Sequence, residues 1–230
     1  MNLTVDVFSD VICPWCYIGK RRLEKAIADL DGQQVAVRWL PFQLNPQMPK
    51  EGVSRKEYRI AKFGSLERSL ELDAKVIAVG QSEGIHFAFD RIKRTPNTLD
   101  AHRLIWLADK EGVQDAVVEA LFRAYFTEGR DISHTPTLLD VVAVAGLERE
   151  RADAVLGSDE ALAAIRAAKE EAHRAGVQGV PFFLINSTIP LSGAMEASAF
   201  LDAFDRASAE TPTASEGSVC KTGAGGKALC

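Results

Sequence analysis

The chain reads as an α/β protein whose sheet-forming parts lie at its two ends, with a large all-helical segment between them. Three observations predict this. A strand-helix-strand pattern occupies the first fifty residues, helical periodicity runs almost unbroken from Ser54 to Ala175, and strand signals return after Gly176 before one last amphipathic helix.

Taken in order, Leu3 to Phe8 alternates and is β-branched, which is the habit of a strand with one buried face. Pro14 to Leu30 carries apolar residues at Ile18, Leu23, Ile27 and Leu30, a helical spacing, and Gln34 to Leu40 alternates again through Val35, Val37 and Trp39. Two parallel strands joined by a helix close by a right-handed crossover. Between Ser54 and Ala175 the helical pattern is punctuated by Gly84, Pro96, Gly112, Gly129, Pro136, Gly146 and Gly157, which divides it into five to seven helices. Pro181 to Ile185 is an apolar run, Asn186-Ser187 a turn, and Thr188 to Leu191 a strand that pairs back as a hairpin. Glu196 to Ala209 ends the folded part as a helix with Phe200, Leu201 and Phe204 on one face. A thioredoxin-like sheet is the economical closure, so residues 1–50 and 176–209 are expected to form one discontinuous domain around a helical insertion at 51–175.

Composition narrows the function. The 230 residues, 47% hydrophobic and 26% charged, suffice for a substantial core, and a formal charge of -5 gives no long-range attraction for nucleic acid or an anionic membrane. The cluster Lys20-Arg21-Arg22 is expected to be the solvated face of the first helix. No apolar run approaches the roughly 18 residues of a membrane span, and the N-terminal residues lack the basic and apolar regions of a signal peptide. The expected location is the cytoplasm, where cysteine pairs serve catalysis or sensing rather than permanent cross-links.

Cys13-Pro14-Trp15-Cys16 sits where the first strand hands over to the first helix. A thiol at a helix N-terminus meets unpaired backbone N–H groups and the positive end of the macrodipole, which favour the thiolate; Cys13 is therefore the expected nucleophile. Cys16, about one turn further in, is placed to attack a mixed disulfide on Cys13. Such a pair can also be half of a zinc site or two inert side chains. The remaining cysteines and His86, His102, His134 and His173 are scattered singly, so dithiol redox chemistry is preferred and no metal is expected. Trp15 offers an apolar contact surface beside Cys13, and Asp10 is expected to make a turn contact, with proton transfer as its alternative.

Five segments, Asp10-Val11-Ile12-Cys13-Pro14-Trp15-Cys16-Tyr17-Ile18-Gly19, Pro41 to Pro46, Asn97 to Arg103, Gly176 to Phe183 and Ser192-Gly193-Ala194, together carry a resemblance. Through them the chain resembles the DsbA-like branch of the thioredoxin family, specifically its FrnE-like members, related to 2-hydroxychromene-2-carboxylate isomerases and kappa-class glutathione transferases. The resemblance implies a thiol-disulfide oxidoreductase in which Cys13 attacks and Cys16 resolves. It also implies that Pro181 is a cis-proline facing the thiols and that the Val180 backbone meets an extended substrate. The isomerases and transferases carry serine where this chain has Cys13; a glutathione-dependent isomerase or transferase is the rival enzyme, and a thiol-dependent chaperone the rival binding protein. Asn97 is read from its residue type as a helix cap with His102 pointing toward the sheet, while the resemblance makes both candidate contacts for substrate or glutathione. No tightly bound cofactor is expected, with glutathione as candidate co-substrate. The partners are protein or small-molecule thiols and disulfides, and the chain is a monomer or homodimer.

The segment 210–230 holds almost no large apolar residue and is expected to stay flexible. It carries Cys220 and Cys230. The eleven residues from Ala209 to Cys220 reach roughly 17 to 20 Å, enough for these two thiols to act as a second redox pair exchanging with the first.

Overall fold

A computed structural model describes residues 2–30 and 32–210. Strand β1 (Asn2–Ser9) leads through a tight turn into helix α1 (Pro14–Ala28), and β2 (Gln34–Pro41) lies parallel to β1 with Val5 opposite Val37 and Val7 opposite Trp39. After the helical insert, β5 (Phe182–Ile185) runs antiparallel to β1 and β6 (Ile189–Ser192) antiparallel to β5, giving the order β2-β1-β5-β6. Asn186 and Ser187 connect this hairpin with φ of 47° and 60°, the mirror-image turn whose twist matches a tight hairpin. Strand β5 starts at Phe182 rather than Pro181, because proline has no N–H for the ladder.

The alternation of the strands sends side chains to two cores. Leu3, Val5 and Val7 enter the main core, as does Phe183, whose ring meets Phe200 of helix α9 (Ala197–Glu210) edge-on at 4.7 Å. Phe8 and Phe182, one residue out of step with that set, pack on the other face at 6.1 Å with Ala172 of helix α8 (Leu162–Arg174). Each buried phenylalanine stabilises the sheet by roughly 1.5–3 kcal/mol.

Between β2 and β5 the chain forms seven helices among the described residues. They are α2 (Arg55–Phe63), α3 (Leu66–Ser82), α4 (Leu99–Lys110), α5 (Gln114–Phe126), α6 (Thr135–Val144), α7 (Arg149–Leu156) and α8. A two-stranded ribbon that the periodicity missed, β3 (Val53–Ser54) with β4 (Arg94–Thr95), ties the start of the insert to its middle. Arg103 on α4 is buried and donates to the carbonyl oxygens of Val155, Leu156, Ser158 and Glu160, closing the C-terminal end of α7. At the outer edge of β2 the Gln114 amide spans one residue of strand: Trp39 N–H donates to its Oε1 at 2.8 Å and its Nε2 donates to Trp39 O at 3.0 Å.

The basic cluster on α1 corrects the expectation of a solvated face. Lys20 is 1% exposed and pairs with Glu24 and, at 3.0 Å, Asp115. Arg22 is 8% exposed and donates to Glu83 Oε1 and to Ala194 O, both at 2.7 Å. The charges are internal because the carboxylates of Glu83, just past α3, and Asp115 of α5 meet them, tying α1 to these helices. The two tail thiols, Cys220 and Cys230, lie outside the described residues.

Candidate active site

Cys13 is the residue that precedes α1, with extended backbone at φ -95° and ψ 111°. Pro14 takes the first helical position, where its missing N–H costs nothing. The turn is closed by Cys13 N–H donating to Asp10 O at 2.9 Å and Cys16 N–H donating to Cys13 O at 3.0 Å. The two cysteines are 3.6 Å apart as free thiols, Cys13 5% exposed and Cys16 fully enclosed. Cys13 Sγ also lies 3.5 Å from Val180 O, to which its thiol form donates.

These surroundings separate the two thiols. A hydrogen bond from the Cys16 thiol holds Cys13 below the usual thiol range; burial and the nearby Asp10 carboxylate oppose it, and the backbone N–H groups of Cys16 and Trp15 assist it. Burial pushes Cys16 well above that range, and the neighbouring Cys13 adds to the effect. The surroundings thus favour the thiolate at Cys13 and the thiol at Cys16, a division that suits disulfide exchange.

The Val180–Pro181 peptide bond is cis, and Gly193 N–H donates to Pro181 O at 2.8 Å. Pro181 reaches α1 at Gly19, where a Cβ would stand 3.1 Å from its Cγ. The strand-to-helix turn and the loop before β5 therefore bring Cys13, Cys16, Val180 and Pro181 together from positions 167 residues apart.

A cavity of about 350 Å³ opens beside Cys13. Ile12, Pro14 and the 38%-exposed Trp15 form one wall; Tyr58, Phe63, Arg55, Arg59 and Lys62 of α2 face them. Phe89, Tyr125 and Phe126 also line it. Lys75 and Asp73 of α3 complete the charged lining, with Asp73 held by Arg59 and, at 3.4 Å, by Arg55. Arg55, Arg59 and Lys62 repeat at i, i+4 and i+7, a one-sided basic stripe visible in the sequence but passed over because nothing local places α2 opposite Cys13. Helix α2 has no buried residue; it is capped by Ser54 and ends at Gly64 with φ 89°.

Asn97 and His102 stand away from this cavity. Thr98, not Asn97, occupies the capping position of α4, but it makes no side-chain bond there. Asn97 serves from one residue upstream, with Leu99 N–H donating to its Oδ1 at 2.9 Å while its Nδ2 donates to Met48 O at 2.6 Å. His102 is 2% exposed and points to the sheet side, its Nε2 3.5 Å from Asp10 Oδ1. Asp10 is fully buried and makes the expected turn contact, accepting from Leu44 N–H at 2.7 Å through Oδ2. His86, His134 and His173 are exposed. Among the described residues no cluster of three or more His, Cys, Asp or Glu side chains could hold a metal ion, and no helix is long and apolar enough to cross a membrane.

Comparison with known proteins places this geometry. The chain is 33% identical to a probable DsbA oxidoreductase from Streptomyces coelicolor, with a TM-score of 0.84 and 94% of each chain covered. At 19% identity it shares its fold with 2-hydroxychromene-2-carboxylate isomerase (TM-score 0.67, covering 88% of this chain and 95% of that one). The same holds for the cytosolic disulfide reductase DsbM from Pseudomonas aeruginosa with GSH, at 19% identity and a TM-score of 0.58, covering 90% of this chain and 96% of that one. The model of the DSBA-like thioredoxin domain matches residues 4–205, and the chain belongs to that family.

Proposed function

We propose that the protein is a thiol-disulfide oxidoreductase working through Cys13 and Cys16. The observation that carries the reading is the opposite displacement of the two thiols within a 3.6 Å pair at the start of α1. Cys13 thiolate displaces one sulfur of a substrate disulfide, and Cys16 then attacks Cys13 and releases the product. Val180 O borders the reacting sulfur at 3.5 Å, with the cis bond to Pro181 directly after it, and the Val180 backbone offers an extended substrate a point of pairing. Residues 1–50 and 176–209 supply this chemistry, and the insert at 51–175 supplies the cavity wall that selects what approaches it.

Glutathione fits as co-substrate rather than bound cofactor. The cavity beside Cys13 carries four cations, Arg55, Arg59, Lys62 and Lys75, against the single acid Asp73 among its lining residues, a balance that suits a small disulfide bearing carboxylates. The same cavity gives a glutathione-dependent isomerase its best support as a second reading. The cytoplasm is the compartment in which such a dithiol would be recharged by bulk thiols.

A redox titration of the reduced protein in graded glutathione buffers, with alkylation and peptide mass spectrometry, tests the proposal. Reversible formation of a Cys13–Cys16 disulfide is the expected result. Cysteines that stay reduced while glutathione binds without exchange would transfer the assignment to the isomerase reading.

A further inference from the structure

Helix α8 is seated by small side chains. Its buried residues are Ile165, Ala168 and Ala172, and the two alanines let the helix approach the sheet without filling the space at its flanks. On the flank beside Pro41, at the end of β2, lies a cavity of about 380 Å³, within the size range of organic-ligand sites. Phe42, Leu99, Leu162, Ile165 and Val177 give it an apolar lining, which Ala172 and Val177 make continuous with the Phe8–Phe182 cluster. It shares no lining residue with the cavity beside Cys13.

The rim carries one sign of charge. Arg166, Lys169 and His173 of α8, at i, i+3 and i+7, border the cavity, and none of its lining residues is a carboxylate, in a chain with 32 Asp and Glu against 27 Lys and Arg. All three are exposed and pair with no carboxylate among the described residues. Acids adjoining these residues in sequence are turned elsewhere: Glu171 to Arg38 at 3.3 Å and Asp100 to Arg103 at 3.1 Å, while Glu170 does not line the cavity. Like charges one turn apart weaken a helix rather than support it, so Arg166 and Lys169 do nothing for α8 by standing together.

We infer that this cavity is a binding site for a small organic anion in which an apolar body carries a carboxylate. The body fills the space between Phe42, Leu162 and Val177, and the carboxylate meets Arg166 and Lys169 at the rim. An apolar wall alone would accept a neutral hydrocarbon group, and cations alone an inorganic anion; their meeting selects a molecule that has both parts. Arg166 offers a carboxylate two parallel donors from a planar fork, and Lys169 adds a compact charge beside it. None of these residues takes part in thiol exchange, so the site stands or falls separately from that reading.

The test uses octanoate as the probe and methyl NMR of the full chain labelled at isoleucine, leucine and valine. Saturable shifts are expected at Leu99, Leu162, Ile165 and Val177, with Ile12 and Leu44 beside Cys13 unmoved. Arg166→Gln combined with Lys169→Gln, both at exposed positions, should weaken octanoate at least about tenfold and leave the melting temperature unchanged. Added salt should weaken it as well. Octan-1-ol, which has the chain without the charge, should bind less tightly than octanoate and equally to wild type and double variant, and inorganic phosphate should move none of the four methyl sets. Absence of shifts in this cavity, octanoate affinity untouched by the double variant, or phosphate or octan-1-ol binding as tightly as octanoate overturns the inference. Octanoate that moves Ile12 and Leu44 instead assigns the anion to the thiol cavity and overturns it equally.

Discussion

The ring of Pro181 lies against the bare backbone of Gly19: a Cβ there would stand 3.1 Å from Pro181 Cγ and 3.0 Å from Phe183 Cζ. Gly19 sits on α1 just past Cys16, so its lack of a side chain sets how closely the thiols approach the loop before β5. Gly19→Ala should gain up to about 1 kcal/mol of helix propensity and lose about 1–3 kcal/mol to overpacking. The expected outcome is a lower melting temperature together with slower exchange, read by calorimetry and by turnover of a disulfide substrate. An unchanged melting temperature and rate would show that the contact has slack.

Cys13 owes its lowered pKa first to the Cys16 thiol. Cys16→Ala should therefore raise the pH at which Cys13 is half-alkylated by iodoacetamide, although the backbone donors remain. Linkage gives the stability profile of the dithiol form. Cys13, depressed in the folded state, contributes stability present above the ordinary thiol value of about 8.5 and lost as pH falls through its folded value. Cys16, raised in the folded state, contributes below about 8.5 and loses that contribution as pH rises through its folded value. Denaturant titrations of Cys13→Ala and Cys16→Ala across pH should diverge from wild type in those opposite directions.

Lys62 lines the cavity from an exposed position and pairs with no carboxylate among the described residues. Lys62→Gln should raise KM for glutathione disulfide several-fold with little change in kcat and leave a neutral disulfide such as bis(hydroxyethyl) disulfide unaffected. Added salt should shrink the difference, since the attraction acts across a solvated mouth. Equal effects on the charged and the neutral disulfide would rule out a charge-based selection.

Arg103 is a structural counterpart that does not line the cavity beside Cys13. Arg103→Met should strip donors from four carbonyl oxygens at the end of α7 and cost about 3 kcal/mol. Chemical denaturation should show the loss, while the alkylation profile of Cys13 at low temperature should match wild type.

What could be read from the residues follows the range of the interactions involved. Strand alternation and the thiol spacing at a helix start are local patterns, and β1, α1, β2 and the hairpin lie within a residue or two of where those patterns end. Lys20 and Arg22 misled because charge is ordinarily a surface signal, and the carboxylates that pair with them inside, Asp115 and Glu83, are 95 and 61 residues distant. The ribbon of β3 and β4 is two residues on each side, too short for any period. The basic stripe of α2 was written in the chain; that it faces Cys13 is a matter of how the insert folds back, which no local spacing records. For the same reason Asp10 could be read as a turn residue, whereas its meeting with His102 could not.

The Gln114 amide on Trp39 also bears on whether the sheet can be extended by another chain. An outer strand with free N–H and C=O groups is a template on which a foreign strand can add and start an aggregate. At Trp39 that template is occupied from within by a side chain imitating one residue of backbone, and on the opposite edge Pro190 in β6 removes a donor. At these positions neither edge of the sheet offers an incoming strand a complete set of backbone partners, so one folded copy is not extended there by another chain.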